Sequence, residues 1–176
     1  MRLFIALDLP EAVRDSLAAW RPDLPDPRWT SADRLHLTLR FLGERPDARA
    51  ETIADRMDTF AAAPVPVRTG DLIRLPSARR PRVLAVRLEE NAALTDLYAR
   101  LGATLAKVGV PPDERPPFPH VTLARFKTPE PAALRKALRG TSPPEAAGVA
   151  TTVSLIHSER SAEGSTYTPI MTVTLG

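Results

Sequence analysis

The chain of 176 residues has no cysteine, only eight glycines and 5% aromatic residues. Without a thiol there is no cysteine nucleophile, no disulfide and no Cys-ligated zinc or iron–sulfur centre. The scattered glycines form no phosphate-cradling loop, and no GxSxG, HExxH or EF-hand pattern occurs. So few aromatics leave no array of stacking platforms for long single-stranded nucleic acid. No stretch approaches the roughly 20 apolar residues that span a bilayer. The opening MRLFIALDLP, broken by Asp8 and Pro10, lacks the pattern of a signal peptide. We therefore expect a cytoplasmic protein without membrane association.

What is present supports a real core: 43% of residues are hydrophobic, enough for one domain over residues 1–176 or two small lobes sharing an interface. There are 24 basic and 21 acidic residues, for a net charge of +3. Nearly all the positive charge is arginine, which suits bidentate phosphate contacts, but the balance is too even to name nucleic acid by itself. The 19 prolines fall mostly between the periodic segments.

Residues 2–9 read as a strand, and Glu11 to about Trp20 as a helix opened by Pro10. A strand over 35–42 closed by Gly43, a helix over 48–60 and a strand over 65–72 complete the first half. The second half repeats the order with a strand at 82–88, a helix at 91–109, a strand at 120–126 and a helix at 131–138. Closing strands follow at 149–156 and 166–175. Each half places a proline-rich connection before a strand that opens on histidine. We read this as an internal duplication, with two facing lobes carrying equivalent histidine strands.

Those strands are RLHLTLRFLG, residues 34–43, and PHVTLARF, residues 119–126. Alternation puts Leu35, Leu37, Leu39 and Phe41 on a core face and His36, Thr38 and Arg40 on the other. In the second strand Val121 and Leu123 face the core, while His120 and Thr122 face away. Arg40 follows its histidine by four residues and Arg125 follows its own by five. Simple alternation would turn Arg125 toward the core, so either the strand ends or bulges near Ala124 or Arg125 differs in role from Arg40.

Two imidazoles can act as base and acid near neutral pH. Hydroxyls and a guanidinium can hold non-bridging phosphate oxygens. The set suits metal-independent cleavage of a phosphodiester, with a histidine on each side of one phosphorus. A zinc site would need a third ligand, and His157, in SLIHSE, has no matching threonine and reads as a surface residue. Trp29, Phe118 and Tyr167 fall in or near connections and are candidates to clamp a terminal base.

The doubled phrase His36-Leu-Thr38-Leu and His120-Val-Thr122-Leu resembles the paired H-x-T-x signature of the 2H phosphoesterase superfamily. With RLFIALDLP, RLHLTLRFLGE, RPPFPHVTLARF and VSLIHSERSAEGSTYTPI around it, the whole chain is similar to the bacterial and archaeal RNA 2',3'-cyclic phosphodiesterases, also called 2'-5' RNA ligases. The resemblance implies an α+β, bilobal fold with antiparallel sheets lining a central cleft and helices outside. It implies hydrolysis of a terminal RNA 2',3'-cyclic phosphate to a 2'-phosphate and free 3'-hydroxyl. His36 would be the proton donor, His120 the proton acceptor, and Thr38 and Thr122 the phosphate-binding hydroxyls. Arg40 and Arg125 would contact RNA phosphates. No metal, other cofactor or obligate protein partner is implied, and a monomer suffices. The alternatives are end joining by the reverse reaction, hydrolysis of small cyclic phosphates, and a non-catalytic RNA-end binding protein.

Overall fold

The computed structural model describes residues 1–127, 131–161 and 164–176. Its elements in chain order are β1 (Arg2–Asp8), α1 (Glu11–Ala19), β2 (Pro27–Trp29), β3 (His36–Glu44), α2 (Asp47–Asp58), β4 (Val65–Leu75) and β5 (Val83–Leu88). They continue with α3 (Ala92–Ala106), β6 (His120–Phe126), α4 (Pro131–Ala137), β7 (Ala147–Ala150), β8 (Thr152–Ser161) and β9 (Gly164–Thr174). The fold is α+β, and every strand pair is antiparallel.

The sheet runs β7-β4-β5-β6-β3-β1-β8-β9, with β2 lying on β6. Its order is close to a palindrome about the β6–β3 contact. The two halves of the chain are interleaved, because β4 leaves the first half to pair with β5 and β8 returns from the second half to pair with β1. Local pattern cannot reveal that exchange, since it is a matter of long-range pairing.

Three differences from the sequence reading have physical causes. The expected strand at 149–156 is two strands broken at Thr151, with β7 on β4 and β8 on β1. The apolar alternation runs through the break and conceals it. The proline-rich connection contains β2, whose Pro27 takes the first strand position, where a missing N–H is tolerated. Gly43 does not close β3, which continues to Glu44 with Gly43 at φ +72° inside it.

The core forms where apolar stripes meet. Leu3, Ile5 and Leu7 of β1 pack with Val13 and Leu17 of α1, Ile53 and Met57 of α2, and the α3 row Leu94, Leu97, Leu101 and Leu105. Each fully buried leucine stabilises the fold by about 1.5–3 kcal/mol relative to exposure. The α3 N-terminus is capped by Asn91, whose Oδ1 accepts the Leu94 N–H at 3.0 Å. Gly148 is required by close approach, since a Cβ there would sit 2.7 Å from the Pro10 Cβ at the start of α1. The side of the β1–β3–β8 sheet opposite this core is left to Phe4, Ala6 and Ile156, with Tyr167 against them.

Candidate active site

The two histidine strands meet at the middle of the sheet through one registered pair, Leu37 with Val121. Both side chains are fully buried, so the residues on either side turn to the opposite face. Continuing the antiparallel register by one residue sets His36 across from Thr122 and Thr38 across from His120. All four line a single cavity of about 620 Å³. The cleft-facing alternation read from the sequence is thus what brings them together.

Both imidazoles are oriented the same way. His36 Nδ1 lies 2.7 Å from the carbonyl oxygen of Arg34, and His120 Nδ1 lies 2.7 Å from that of Phe118. A carbonyl only accepts, so each Nδ1 carries the hydrogen and donates it. The neutral tautomer therefore presents Nε2 as a base, and the charged form presents Nε2–H as an acid. His36 Nε2 is 3.0 Å from the Thr38 hydroxyl, which donates to it while the ring is neutral. The His36 ring stacks on Phe4 at 4.9 Å and meets the edge of Tyr167 at 5.5 Å. That burial, with smaller contributions from the charges of His120 and Arg125, pushes its pKa below the ordinary histidine value.

The arginines separate, and β-bulges decide how. Along β3 the register passes from Ile5–Arg40 to Ala6–Thr38, leaving Leu39 as an extra residue, and from Leu3–Gly43 to Phe4–Phe41, leaving Leu42 extra. Along β6 it passes from Leu84–Ala124 to Ala85–Thr122, leaving Leu123 extra. The β6 bulge returns Arg125 to the histidine face, where it lines the cleft. Of the readings left open, the strand does bulge, and Arg125 is also placed differently from Arg40.

The β3 bulge changes where two residues stand. Phe41, expected in the core, is 70% exposed and lines the cleft at the position equivalent to Arg125. Arg40, expected to reach RNA phosphate, does not line this cavity but an adjoining one of about 610 Å³, which shares Thr38, Phe41 and His120 with it. Its guanidinium is bonded to Asp113 at 2.6 Å and to the Pro111 carbonyl, and its side chain is 11% exposed. A buried guanidinium already paired with a carboxylate is poorly placed to take a phosphate.

Of the three aromatic candidates Tyr167 lines this cavity, Phe118 lines the adjoining one with Thr38 and His120, and Trp29 lines a third with Arg125 and Tyr167. Trp29 meets Trp20 edge-on at 6.4 Å, with the Arg21 guanidinium 4.7 Å above its ring. Phe118 is half-exposed beside His120, with Arg87 5.1 Å over its ring. His157 is half-buried on β8, outside the cleft lining. Sequence reasoning missed Phe4 and Phe41, and also the cleft arginines Arg2, Arg34 and Arg160. Strand alternation through Phe4 would have found Arg2, but nothing local marks the others.

The electrostatics are one-sided. Four arginines and two histidines line the cleft, and among the described residues no aspartate or glutamate does. Arg34 is held across it, donating from Nε to the Ser31 hydroxyl at 2.8 Å and from Nη1 to the Ser165 carbonyl at 2.9 Å. Among the described residues no group of three or more His, Asp or Glu side chains lies close enough to share a cation, and no helix is long and apolar enough to cross a membrane. A cavity of this charge suits an anion, and two imidazoles with Nδ1 tied to a carbonyl keep Nε2 for proton transfer.

Comparison with known proteins agrees with this geometry. Residues 9–162 match the model of the 2'-5' RNA ligase superfamily. An RNA 2',3'-cyclic phosphodiesterase of Thermus thermophilus is 32% identical, the match covering 96% of this chain and 87% of that protein. One of Aquifex aeolicus is 32% identical over 64% of this chain, and the match spans 62% of that protein's length. The crystal structure of Escherichia coli LigT complexed with 3'-AMP superposes with a TM-score of 0.76 at 27% identity, covering 99% of this chain and 97% of that one. The chain belongs to the 2'-5' RNA ligase superfamily of 2H phosphoesterases, in the RNA 2',3'-cyclic phosphodiesterase family.

Proposed function

We propose that this protein hydrolyses the 2',3'-cyclic phosphate at an RNA 3' end, leaving a 2'-phosphate and a free 3'-hydroxyl. The observation that carries the reading is the pair of histidines, each with Nδ1 tied to a carbonyl so that Nε2 is left for the reaction, lining one cleft in which no aspartate or glutamate appears among the described residues. The names of the relatives point the same way.

In this reaction His120 Nε2 takes a proton from water as the water oxygen attacks phosphorus, and the bond from phosphorus to the 3'-oxygen breaks. His36 Nε2–H gives its proton to that oxygen. Thr38, Thr122 and Arg125 hold the non-bridging oxygens as charge builds on them. Burial disfavours the charged form of His36 in the free protein, and a bound phosphate monoanion opposes that effect by attracting the imidazolium. Substrate thus brings the acid into its working state. Protonation of Nε2 also ends the role of the Thr38 hydroxyl as donor to it and frees that hydroxyl for a phosphate oxygen.

Both histidines come from one chain, so a monomer suffices. The near-palindromic sheet supports reading the chain as one duplicated domain of two interleaved lobes. The test is incubation of an RNA bearing a 2',3'-cyclic end with the protein and excess chelator, followed by mapping of the product phosphate. A 2'-phosphate is expected. A 3'-phosphate would reverse the leaving-group assignment, and RNA that is bound but unchanged would make the protein an RNA-end binder.

A further inference from the structure

The cleft is longer than the catalytic pair requires. It runs from His120 and Arg125 past Phe4 to Arg2 on β1, Gly43 on β3, and Ser158 and Arg160 on β8. Ala6 is the register partner of Thr38, and Arg2 lies four residues further along β1, about 13 Å away along the strand. That is too far for Arg2 to touch a phosphate held between the histidines. Strand alternation places Arg2 on the face of Phe4, which stacks on His36, and places Arg160 on the face of Ile156, which packs against Phe4. Among the described residues no carboxylate forms a salt bridge with either arginine.

We propose that Arg2 and Arg160 form a second phosphate subsite, which holds an internal phosphodiester of the RNA upstream of its cyclic end. The proposal rests on the hydrolytic reading above and gives it a direction: the strand leaves the histidines along β1 and β8. Two guanidiniums that pair with no carboxylate among the described residues, at one end of a groove whose described lining holds none, match the chemistry of a phosphodiester, whereas a free mononucleotide has no second phosphate to offer them. Two other cavities adjoin the cleft, and neither suits a second phosphate as well. One of about 610 Å³ past Thr38 and His120 is lined by Asp113 and Glu114, which repel a phosphate. One of about 290 Å³ past Arg125 is lined by Arg28, and Arg34, bonded to Ser165, stands where it meets the cleft.

The test compares adenosine 2',3'-cyclic phosphate with a hexaribonucleotide ending in a 2',3'-cyclic phosphate. Replacing both residues, Arg2→Ala with Arg160→Ala, should raise KM for the hexamer about tenfold. KM for the mononucleotide should move less than twofold, and kcat on both substrates should hold. The salt dependence of hexamer binding, as log K against log salt, should become shallower by about 1.4 for two lost phosphate contacts. Arg160→Lys should keep most of the hexamer affinity, and Arg160→Glu should lose more than Arg160→Ala. These single changes at an exposed strand end keep the test valid if the double variant folds poorly. Equal changes on both substrates, no change on either, or a hexamer defect produced by Arg28→Ala instead would overturn the proposal. Should the unaltered protein turn over neither substrate, the hydrolytic reading fails separately. Fluorescence anisotropy with a 2'-phosphorylated hexamer then still decides the subsite.

Discussion

The two halves of the molecule offer the same His-x-Thr phrase across the Leu37–Val121 contact, yet they furnish it differently. Around His36 the walls are aromatic: Phe4 lies against the ring, Tyr167 meets it edge-on, and Phe41 follows five residues later. Around His120 the position equivalent to Phe41 is Arg125, and Phe118 stands beside the ring at 5.7 Å. Thr38 bonds its own histidine, while among the described residues Thr122 makes no such bond. The backbone frame is shared, even to a bulge after each threonine, but one side is apolar and the other cationic. A reaction that needs an acid on one side and a base on the other gains from such asymmetry, because it sets two chemically identical groups in different surroundings.

The first way to break the comparison is to remove each imidazole. His36→Ala and His120→Ala should each lower kcat by about 10²-fold or more, the usual contribution of a general acid or base. Steady-state assays on cyclic-ended RNA check this, and either variant turning over at the normal rate would end the two-histidine scheme. Next in size are the fifth-position residues. Arg125→Ala should cost about 10-fold or more in kcat/KM, through lost charge stabilisation on the phosphate. Phe41→Ala should raise KM a few-fold and leave kcat nearly unchanged. Equal effects from the two would mean that the halves contribute alike despite their chemistry.

The pH profile sharpens the same contrast. If His36 is the acid it must be protonated, so activity falls as pH rises through its pKa. In kcat/KM, which reports the free protein, that alkaline limb should lie below the ordinary histidine value of about 6.5. In kcat, which reports the phosphate-bound state, the limb should move to higher pH. Folding stability has a related signature. The unfolded chain binds a proton at His36 as pH falls through about 6.5, while the folded chain resists until its lower pKa is reached. Stability is therefore lost on acidification across that window and flat above it. His36→Asn should remove this slope, which chemical denaturation between pH 5 and 8 would measure.

Alternation in two strands was enough to read the four His and Thr positions and their common face. It failed at Phe41 and Arg40 because Leu39 occupies a bulge, and a bulged leucine looks like any other leucine in a strand. In β6 the mismatched spacing of Arg125 betrayed the same device, since a core-facing arginine was untenable. No comparable clash marked β3, because a phenylalanine in the core and an arginine outside it are both unremarkable. The split of β7 from β8 and the exchange of strands between halves depend on distant pairing. Leu3, Ala6 and their neighbours carry no local sign of which strand will lie beside them. In the aromatic wall around His36, Tyr167 was legible as a candidate, but its meeting with Phe4 of β1 was not, because it too depends on strands distant in sequence.

The smallest effect concerns the β3 arginine, which lines the adjoining cavity rather than the cleft. Arg40 ties β3 to the proline-rich connection ahead of β6 by bonding Asp113 and the Pro111 carbonyl, and its Nε is buried with no partner. The tie runs between the halves, because that connection ends at Phe118, whose carbonyl orients His120. Asp113 also helps burial push the nearby Tyr98 hydroxyl up to about 12, so its loss should let Tyr98 titrate at lower pH. Asp113→Ala leaves a largely buried guanidinium with only a carbonyl and should cost about 1–3 kcal/mol of stability. Asp113→Asn should recover part of it through a neutral hydrogen bond. Turnover should fall only a few-fold, because the Phe118 carbonyl shifts rather than disappears, and Arg40→Ala should lower kcat to a similar small degree with KM for cyclic-ended RNA unchanged. A large rise in KM from Arg40→Ala would instead return this arginine to the RNA and restore the symmetry that the bulge removed.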